Sequence, residues 1–244
     1  MAREGGLVTG TAGLAARGAR AARDKTDAGV LLAEIIGPRE AREAGADVSA
    51  DGPSQPVGYV LLEGWAGTAT TITRDRRQVT DLLLPGDLWL PCRVASADRL
   101  LALTAIAVAP VPLDGLREAG RATPELWWNL VGLLDQQDAR LRQQVVRNGR
   151  RSAHERVAHL LLELYERLRI KGRARDDTFD LPIGQSVIAD AVGLSYVHVS
   201  RVLTQLERTG MIERGRTRVR IRDRAAIEAA CGFDAAYLAP GALR

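Results

Sequence analysis

Residue types that support catalysis are few in this chain, and none has the spacing that catalysis requires. Residues 154–159, His-Glu-Arg-Val-Ala-His, resemble the zinc-protease signature, but that motif needs two histidines four residues apart on one helix face. Here the histidines are five apart, about 140° around a helix, so we reject a metal site. The chain also has no phosphate-binding loop, nucleophile elbow or CxxC motif. We therefore expect neither an enzyme nor a bound cofactor.

The two cysteines, Cys92 and Cys231, lie far apart in the chain. This spacing excludes a disulfide scaffold and any four-cysteine metal site within one chain, and it favours two reduced thiols. No apolar run is long enough to cross a bilayer, and residues 1–25 carry arginines without the apolar segment of a signal peptide. We therefore expect a cytoplasmic protein with no membrane partner.

Positive charge is concentrated in the C-terminal part of the chain. Residues 149–244 hold 17 basic and 12 acidic side chains, whereas residues 1–148 hold 17 and 18. All but two of the 34 basic residues are arginine. A basic C-terminal part indicates a polyanionic partner, although an excess of five charges is also common on a solvated surface.

Residues 184–206 have the pattern of two helices joined by a tight turn. Gly193 supplies the left-handed conformation that ends the first helix, and Ser195 is a typical cap for the second. The second helix buries Val199, Val202, Leu203 and Leu206. This pattern predicts a helix-turn-helix whose second helix lies in the DNA major groove, with an ordinary helical hairpin as the alternative. The candidate DNA-binding residues in these helices are Ser186, Ser195, Tyr196, Val197, His198, Ser200, Arg201 and Thr204.

An arginine-rich segment follows the predicted helix-turn-helix. Arg alternates with Thr, Val and Ile over residues 216–222, as in a half-exposed hairpin strand. We expect a two-stranded wing whose Arg216 and Arg218 contact phosphates. Arg201 is the candidate base reader, because its planar fork can donate two hydrogen bonds to guanine.

The segment 123–148 predicts one long helix. Thr123 and Pro124 are typical of a helix start, and Asn148 with Gly149 indicates its end. Periodicity favours a dimeric coiled coil, and one more core helix is the alternative. The expected dimerisation residues recur at steps of three, four or seven: Leu126, Leu130, Leu133, Leu134, Leu141 and Val145.

The N-terminal part differs in composition and in hydrophobic pattern. Residues 1–27 are rich in Ala, Gly and Arg without a sustained period, so we expect a flexible tail. Short apolar runs rich in Val, Ile, Leu and Thr follow over residues 28–122, separated by turns such as Pro85-Gly86. Such runs predict a small antiparallel sandwich or barrel.

This order of a β domain, a long helix and a winged helix-turn-helix resembles the Crp–Fnr transcription regulators. The resemblance implies an α+β fold with an N-terminal antiparallel β-roll (a cupin-like double-stranded β-helix) over 28–122. A dimerisation helix over 123–148 and a winged helix-turn-helix over 149–244 complete it. It further implies a homodimer that binds a two-fold symmetric site in double-stranded DNA and works with RNA polymerase. The segments that carry it are 59–65, 83–88, 149–161, 184–206 and 232–238.

Departures from the family pattern bear on the signal that is sensed. Members that bind cyclic AMP carry Gly-Glu after the Pro-Gly-Asp turn and an Arg-Ser pair further on. This chain has Leu-Trp-Leu-Pro at 88–91 and Ala-Ser-Ala-Asp at 95–98. Since a buried phosphate needs cations and donors around it, we expect that cyclic AMP is not the effector, which stays unknown. Many members also carry Glu where Val197 stands.

Two classes of function therefore stay open at this point. The first is a dimeric, sequence-specific DNA-binding regulator that does not depend on cyclic AMP. The second is a small-molecule-binding or catalytic β-roll protein whose helical domain mediates protein contacts. Arg201 and the arginines of the wing favour the first.

Overall fold

The computed structural model describes residues 35–50, 57–73, 76–91 and 98–239. The tail predicted over 1–27 lies outside these residues, and so does Cys92. In the described part, two antiparallel sheets form the N-terminal β domain, with strand orders β1-β7-β2-β5 and β4-β3-β6. The strands are β1 (Glu40–Arg42), β2 (Val57–Glu63), β3 (Ala66–Thr73), β4 (Arg76–Leu83), β5 (Leu88–Trp89), β6 (Asp98–Ala102) and β7 (Ile106–Pro112).

The two sheets enclose a closely filled interior. Alternate residues of each strand point inward, because successive side chains of a strand face opposite sides. The rings of Tyr59 and Trp89 stack inside with centroids 6.1 Å apart. The turn predicted at Pro85-Gly86 joins β4 to β5, and Gly86 has the positive φ of 90° that such a turn requires. The buried residues of this core include Val48, Leu61, Ala66, Leu83, Leu100, Ile106 and Val108.

Two helices follow the β domain, α1 (Leu113–Ala122) and α2 (Pro124–Arg150). Leu126 and Leu130 of α2 are 0% and 3% exposed, because they pack against the β domain and α1 through Leu88, Val111 and Leu116. The prediction that Leu126 and Leu130 form the dimer contact is therefore wrong. Their burial within one chain leaves no surface for a partner.

The same side of α2 continues with polar residues that bind the chain's own backbone and carboxylates. Gln137 donates to the carbonyl of Leu88 at 2.8 Å, and Gln144 donates to the carbonyl of Val79 at 2.7 Å. Arg140 pairs with Asp81 at 2.7 Å. We call this side the inner stripe; its residues are Leu126, Leu130, Gln137, Arg140, Gln144 and Arg147.

A second side of α2 stays largely uncovered by the chain. Trp127, Val131, Leu134 and Val145 are 43%, 44%, 42% and 66% exposed, and Leu141 is half-buried. Leu133 is also exposed, but it lies in phase with the inner stripe between Leu130 and Gln137. The uncovered residues repeat with the alternating steps of four and three that mark a coiled-coil seam. We call them the outer stripe: Trp127, Val131, Leu134, Asp138, Leu141 and Val145.

A short connector joins α2 to the next helix, α3 (Ala153–Ile170). The helix α2 runs through Asn148 and Gly149 to Arg150, so the end predicted there is wrong by two residues. Ser152 and Glu155 form a reciprocal capping box that starts α3. The guanidinium of Arg151 donates to the carbonyl of Cys231 at 3.0 Å. The connector is therefore fixed at both of its residues.

The C-terminal domain combines helices with a small sheet. Its helices are α3, α4 (Gln185–Val192), α5 (Tyr196–Arg208) and α6 (Arg224–Cys231), followed by a 3₁₀ turn at Ala235–Leu238. The strands β8 (Ala174–Arg175), β9 (Thr178–Asp180), β10 (Ile212–Arg214) and β11 (Arg218–Ile221) form one antiparallel sheet in the order β10-β11-β9-β8. The expected two-stranded wing is thus the edge of a four-stranded sheet, because β11 also pairs with β9.

A buried polar network joins α2, α3 and the 3₁₀ turn. Arg147 lies 3.1 Å from Glu163 and 3.3 Å from Nδ1 of His159, and Tyr237 donates to Glu163 at 2.8 Å. Burial, together with the positive charge of Arg147, lowers the pKa of His159 to about 3. His159 is therefore neutral in the folded protein at physiological pH.

We predict that His159 makes the protein less stable in mild acid. The unfolded histidine takes up a proton near pH 6.5 while the folded one does not, so stability is lost as pH falls below that value. Between pH 7 and pH 5 the loss from this residue amounts to about 2 kcal/mol. Urea unfolding at both pH values measures it, and His159→Gln should flatten the dependence. His154→Gln, at the half-buried start of α3, is the control that should keep it.

Candidate nucleic-acid interface

The helix-turn-helix has the geometry that the sequence predicts. Gly193 ends α4 in the left-handed conformation, with φ 64° and ψ 40°. The hydroxyl of Ser195 accepts a hydrogen bond from the backbone amide of His198 at 3.3 Å and so caps α5. Val199, Leu203 and Leu206 of α5 are buried. These local contacts fix the angle between the two helices and leave the opposite side of α5 in solvent.

The outward side of α5 brings most of the predicted DNA-binding residues together. Tyr196 and Val197 are 57% and 55% exposed, and Arg201 follows Val197 by about one helical turn. Ser200 is half-buried. The predicted DNA-binding residues of α4, the turn and α5 that are exposed are Ser186, Ser195, Tyr196, Val197, His198, Arg201 and Thr204. These residues are mostly polar and include one long cation, Arg201, and their contacts with DNA stay a prediction.

Two of these residues also shape the start of α5. Ser195 accepts from the His198 amide, and its hydroxyl lies 3.0 Å from Nδ1 of the His198 ring. Both side chains therefore hold the first turn of α5, where the free backbone amides carry partial positive charge. Such a helix start favours a phosphate oxygen nearby.

The wing presents arginines beside α5, and most of them already have acidic partners. Arg218 pairs with Asp180 at 2.9 Å, and both side chains are largely exposed. Arg216 is exposed at the turn between β10 and β11. Because an exposed ion pair contributes about 0–1 kcal/mol, Arg218 can exchange Asp180 for a phosphate at little cost.

The helix-turn-helix also contacts the β domain and α2. The sequence analysis does not predict these contacts. Arg77 of β4 pairs with Asp190 of α4 at 2.7 Å. Gln78 donates to the carbonyl of Asp190 at 2.6 Å, and Gln144 donates to the carbonyl of Ala191 at 3.3 Å. The two glutamines satisfy carbonyls at the end of α4, which a helix leaves unpaired. They hold the DNA-binding domain at a defined angle to the rest of the chain.

A cluster of buried and half-buried charges connects the β domain to α3. Asp87, in the turn after Pro85-Gly86, accepts from Arg167 at 2.7 Å and from Lys171 at 2.5 Å. Burial alone would raise the pKa of Asp87, but the charges of Arg167, Lys171 and Arg140 outweigh it and hold that pKa well below its usual range. We call Asp87, Arg167 and Lys171 the Asp87 cluster. It ties the β domain to α3.

Two further observations concern other kinds of site. Among the residues that the structure describes, no group of three or more His, Cys, Asp or Glu could hold a metal ion. Over those same residues, no helix combines the length and the apolar character needed to cross a bilayer.

A capped helix-turn-helix with a solvent-facing second helix and an arginine-bearing wing defines the class of winged-helix DNA-binding proteins. Comparison with known proteins assigns this domain to one family within the class. A family model for the Crp-like helix-turn-helix domain matches residues 155–230.

Relatives and solved structures agree with that match. The nitrogen fixation regulation protein FixK of Bradyrhizobium diazoefficiens is 33% identical over 202 residues, which is 80% of this chain and 83% of that protein. The transcriptional activator protein FnrL of Cereibacter sphaeroides is 30% identical over 198 residues, 79% of each chain. The structure of FixK2 from Bradyrhizobium japonicum has a TM-score of 0.70 at 23% identity and covers 80% of this chain and 98% of its own.

The chain therefore belongs to the Crp–Fnr family of DNA-binding transcription regulators. The α+β fold, with a β-rich N-terminal domain and a C-terminal helix-turn-helix, agrees with the expectation from the sequence.

We predict that Arg218 binds DNA without regard to sequence. Arg218→Ala should weaken binding to all duplexes by a similar factor and reduce the slope of log K against log salt by about one. Fluorescence anisotropy over a salt series measures both quantities. Arg117→Ala, which removes an arginine from a similarly exposed ion pair on α1, is the matched control. A change in base preference for Arg218→Ala would contradict the assignment.

Proposed function

We propose that the chain acts as a homodimer that binds a two-fold symmetric site in double-stranded DNA and reads its sequence through α5. The observation that carries this proposal is the exposed side of α5, where Arg201 stands beside Ser200 and one turn after Val197. Two recognition helices about 34 Å apart would contact successive major grooves. On this proposal the protein regulates transcription in the cytoplasm by binding DNA and RNA polymerase, and it is not an enzyme.

The outer stripe supports the dimer. Its large apolar side chains are exposed in the single chain, and an exposed apolar patch with coiled-coil spacing marks an interface. A parallel pairing of two copies of α2 covers this stripe. It also leaves both DNA-binding domains at the same end of the molecule, since α3 follows α2 after two residues.

The interior of the β domain supports independence from cyclic AMP. Tyr59 and Trp89 stack inside it, and Leu61, Leu83 and Leu100 fill the space around them. The Gly-Glu and Arg-Ser anchors of the cyclic-AMP-binding members have no counterparts at the corresponding positions.

Binding-site selection with the purified full chain and no cyclic nucleotide tests sequence recognition. We expect an enriched two-fold repeat with guanine at the position that Arg201 reads. Arg201→Ala should cost about 1–3 kcal/mol on that site and relax the preference at one base pair per half-site. A variant that only lowers the overall affinity, with the full preference kept, would show that Arg201 is not the base reader.

Charge placed in the outer stripe tests the dimer. Leu134→Asp should separate the two copies, because two carboxylates would then be buried facing each other without partners. Light scattering measures the mass, and anisotropy on the selected duplex measures binding. Ile72→Asp introduces the same charge at an exposed apolar residue of β3 and should stay dimeric. A Leu134→Asp protein that remains dimeric and binds DNA normally would show that the outer stripe is not the dimer interface.

A further inference from the structure

Among the predicted DNA-binding residues of α4, the turn and α5, Val197 is the one whose side chain cannot form a hydrogen bond. It lies in the first turn of α5 and is 55% exposed, whereas the buried side of the helix is formed by Val199, Leu203 and Leu206. Its exposure means that it adds little to the core. A β-branched residue is also a weak helix former, so the helix itself gains nothing from valine at this position.

The residues that share one helix face with Val197 are polar. Ser200 and Arg201 follow it by three and four residues, the spacings that place side chains on one helix face. Both offer hydrogen bonds to base edges or phosphates. Next to these groups, the two methyl groups of Val197 form a small apolar spot near the start of the face.

The major groove has one apolar group that matches such a spot. Thymine carries a methyl group at C5, whereas cytosine presents an amino donor in the groove. Apolar contact favours the methyl, and the cytosine donor would be covered by Val197 without an acceptor. An A·T pair is therefore preferred over G·C at the base pair beneath Val197.

We propose that Val197 reads the methyl group of a thymine and so sets an A·T pair in each half-site. Val197 and Arg201 are separated by about 6 Å along the helix axis, close to two base-pair steps of about 3.4 Å. The thymine therefore lies within two base pairs of the guanine that Arg201 reads. This inference rests on the proposed function, since it needs sequence-specific binding through α5.

Replacing thymine with deoxyuridine tests the proposal directly, because it removes the methyl group and keeps the base pairing. Each thymine of the selected half-site is replaced in turn, symmetrically in both half-sites, and affinity is measured by anisotropy. For the wild type we expect one position near the guanine where the replacement weakens binding about fourfold per half-site, the effect of one buried methyl group. For Val197→Ala the thymine and uracil duplexes should bind within a factor of two of each other.

Two further variants sharpen the test. Val197→Thr keeps one methyl group in nearly the same shape and should retain part of the uracil effect. Val197→Glu supplies an acceptor for the cytosine amino group, so a repeated selection should shift that position from A·T to G·C. Because Val197 is exposed, these variants should fold, and circular dichroism checks that they do.

The outcomes separate the two proposals. If the wild type selects a symmetric site but no thymine is sensitive to uracil, or if the sensitivity is undiminished in Val197→Ala, Val197 is not the reader and the proposed function stands. If selection enriches no symmetric site, the proposed function fails and the role of Val197 fails with it. A uracil effect that disappears in Val197→Ala supports the proposal.

Discussion

The helix α2 has to satisfy two sets of contacts at once. Its inner stripe packs against its own β domain and donates to backbone carbonyls of β4 and α4, while its outer stripe is left largely uncovered by the chain. Both sets repeat every seven residues, so they run side by side along the helix. A shift of α2 along its axis would break the polar contacts of the inner stripe. The exposed seam and the helix-turn-helix are therefore held in a defined relation to each other.

The polar contacts that connect the β domain, α2, α3 and α4 set the orientation of these parts more than they add stability. Removing charges from water is costly, and a buried ion pair seldom recovers much more than that cost. The Asp87 cluster and the Arg147–Glu163 pair nevertheless have short, directional contacts. An apolar contact would tolerate sliding of α3 against the β domain and α2, whereas these pairs require one arrangement. The orientation of α5 relative to the outer stripe follows from them.

Prediction from sequence succeeded where the signals are local. The turn at Gly193, the cap at Ser195 and the buried side of α5 need only a few neighbouring residues. It failed for Leu126 and Leu130, because a seven-residue period does not tell which of two adjacent stripes packs inside the chain. Gln137 and Gln144 bind backbone carbonyls 49 and 65 residues away, and a helical period does not indicate contacts over such distances in the chain. The Asp87 cluster joins residues 80 and 84 positions apart, and no local pattern signals such a contact.

In the proposed dimer, the two-residue connector between α2 and α3 bears on the spacing of the two half-sites. Arg151 is tied to the carbonyl of Cys231 and Ser152 to Glu155, so the connector has little rotational freedom. One extra base pair between two half-sites turns one of them by about 35° around the DNA axis, given about 10–10.5 base pairs per turn. A connector of this kind cannot follow such a rotation without losing its hydrogen bonds. On the proposed dimer, spacer length would therefore be as much a part of the recognised site as the bases in the half-sites.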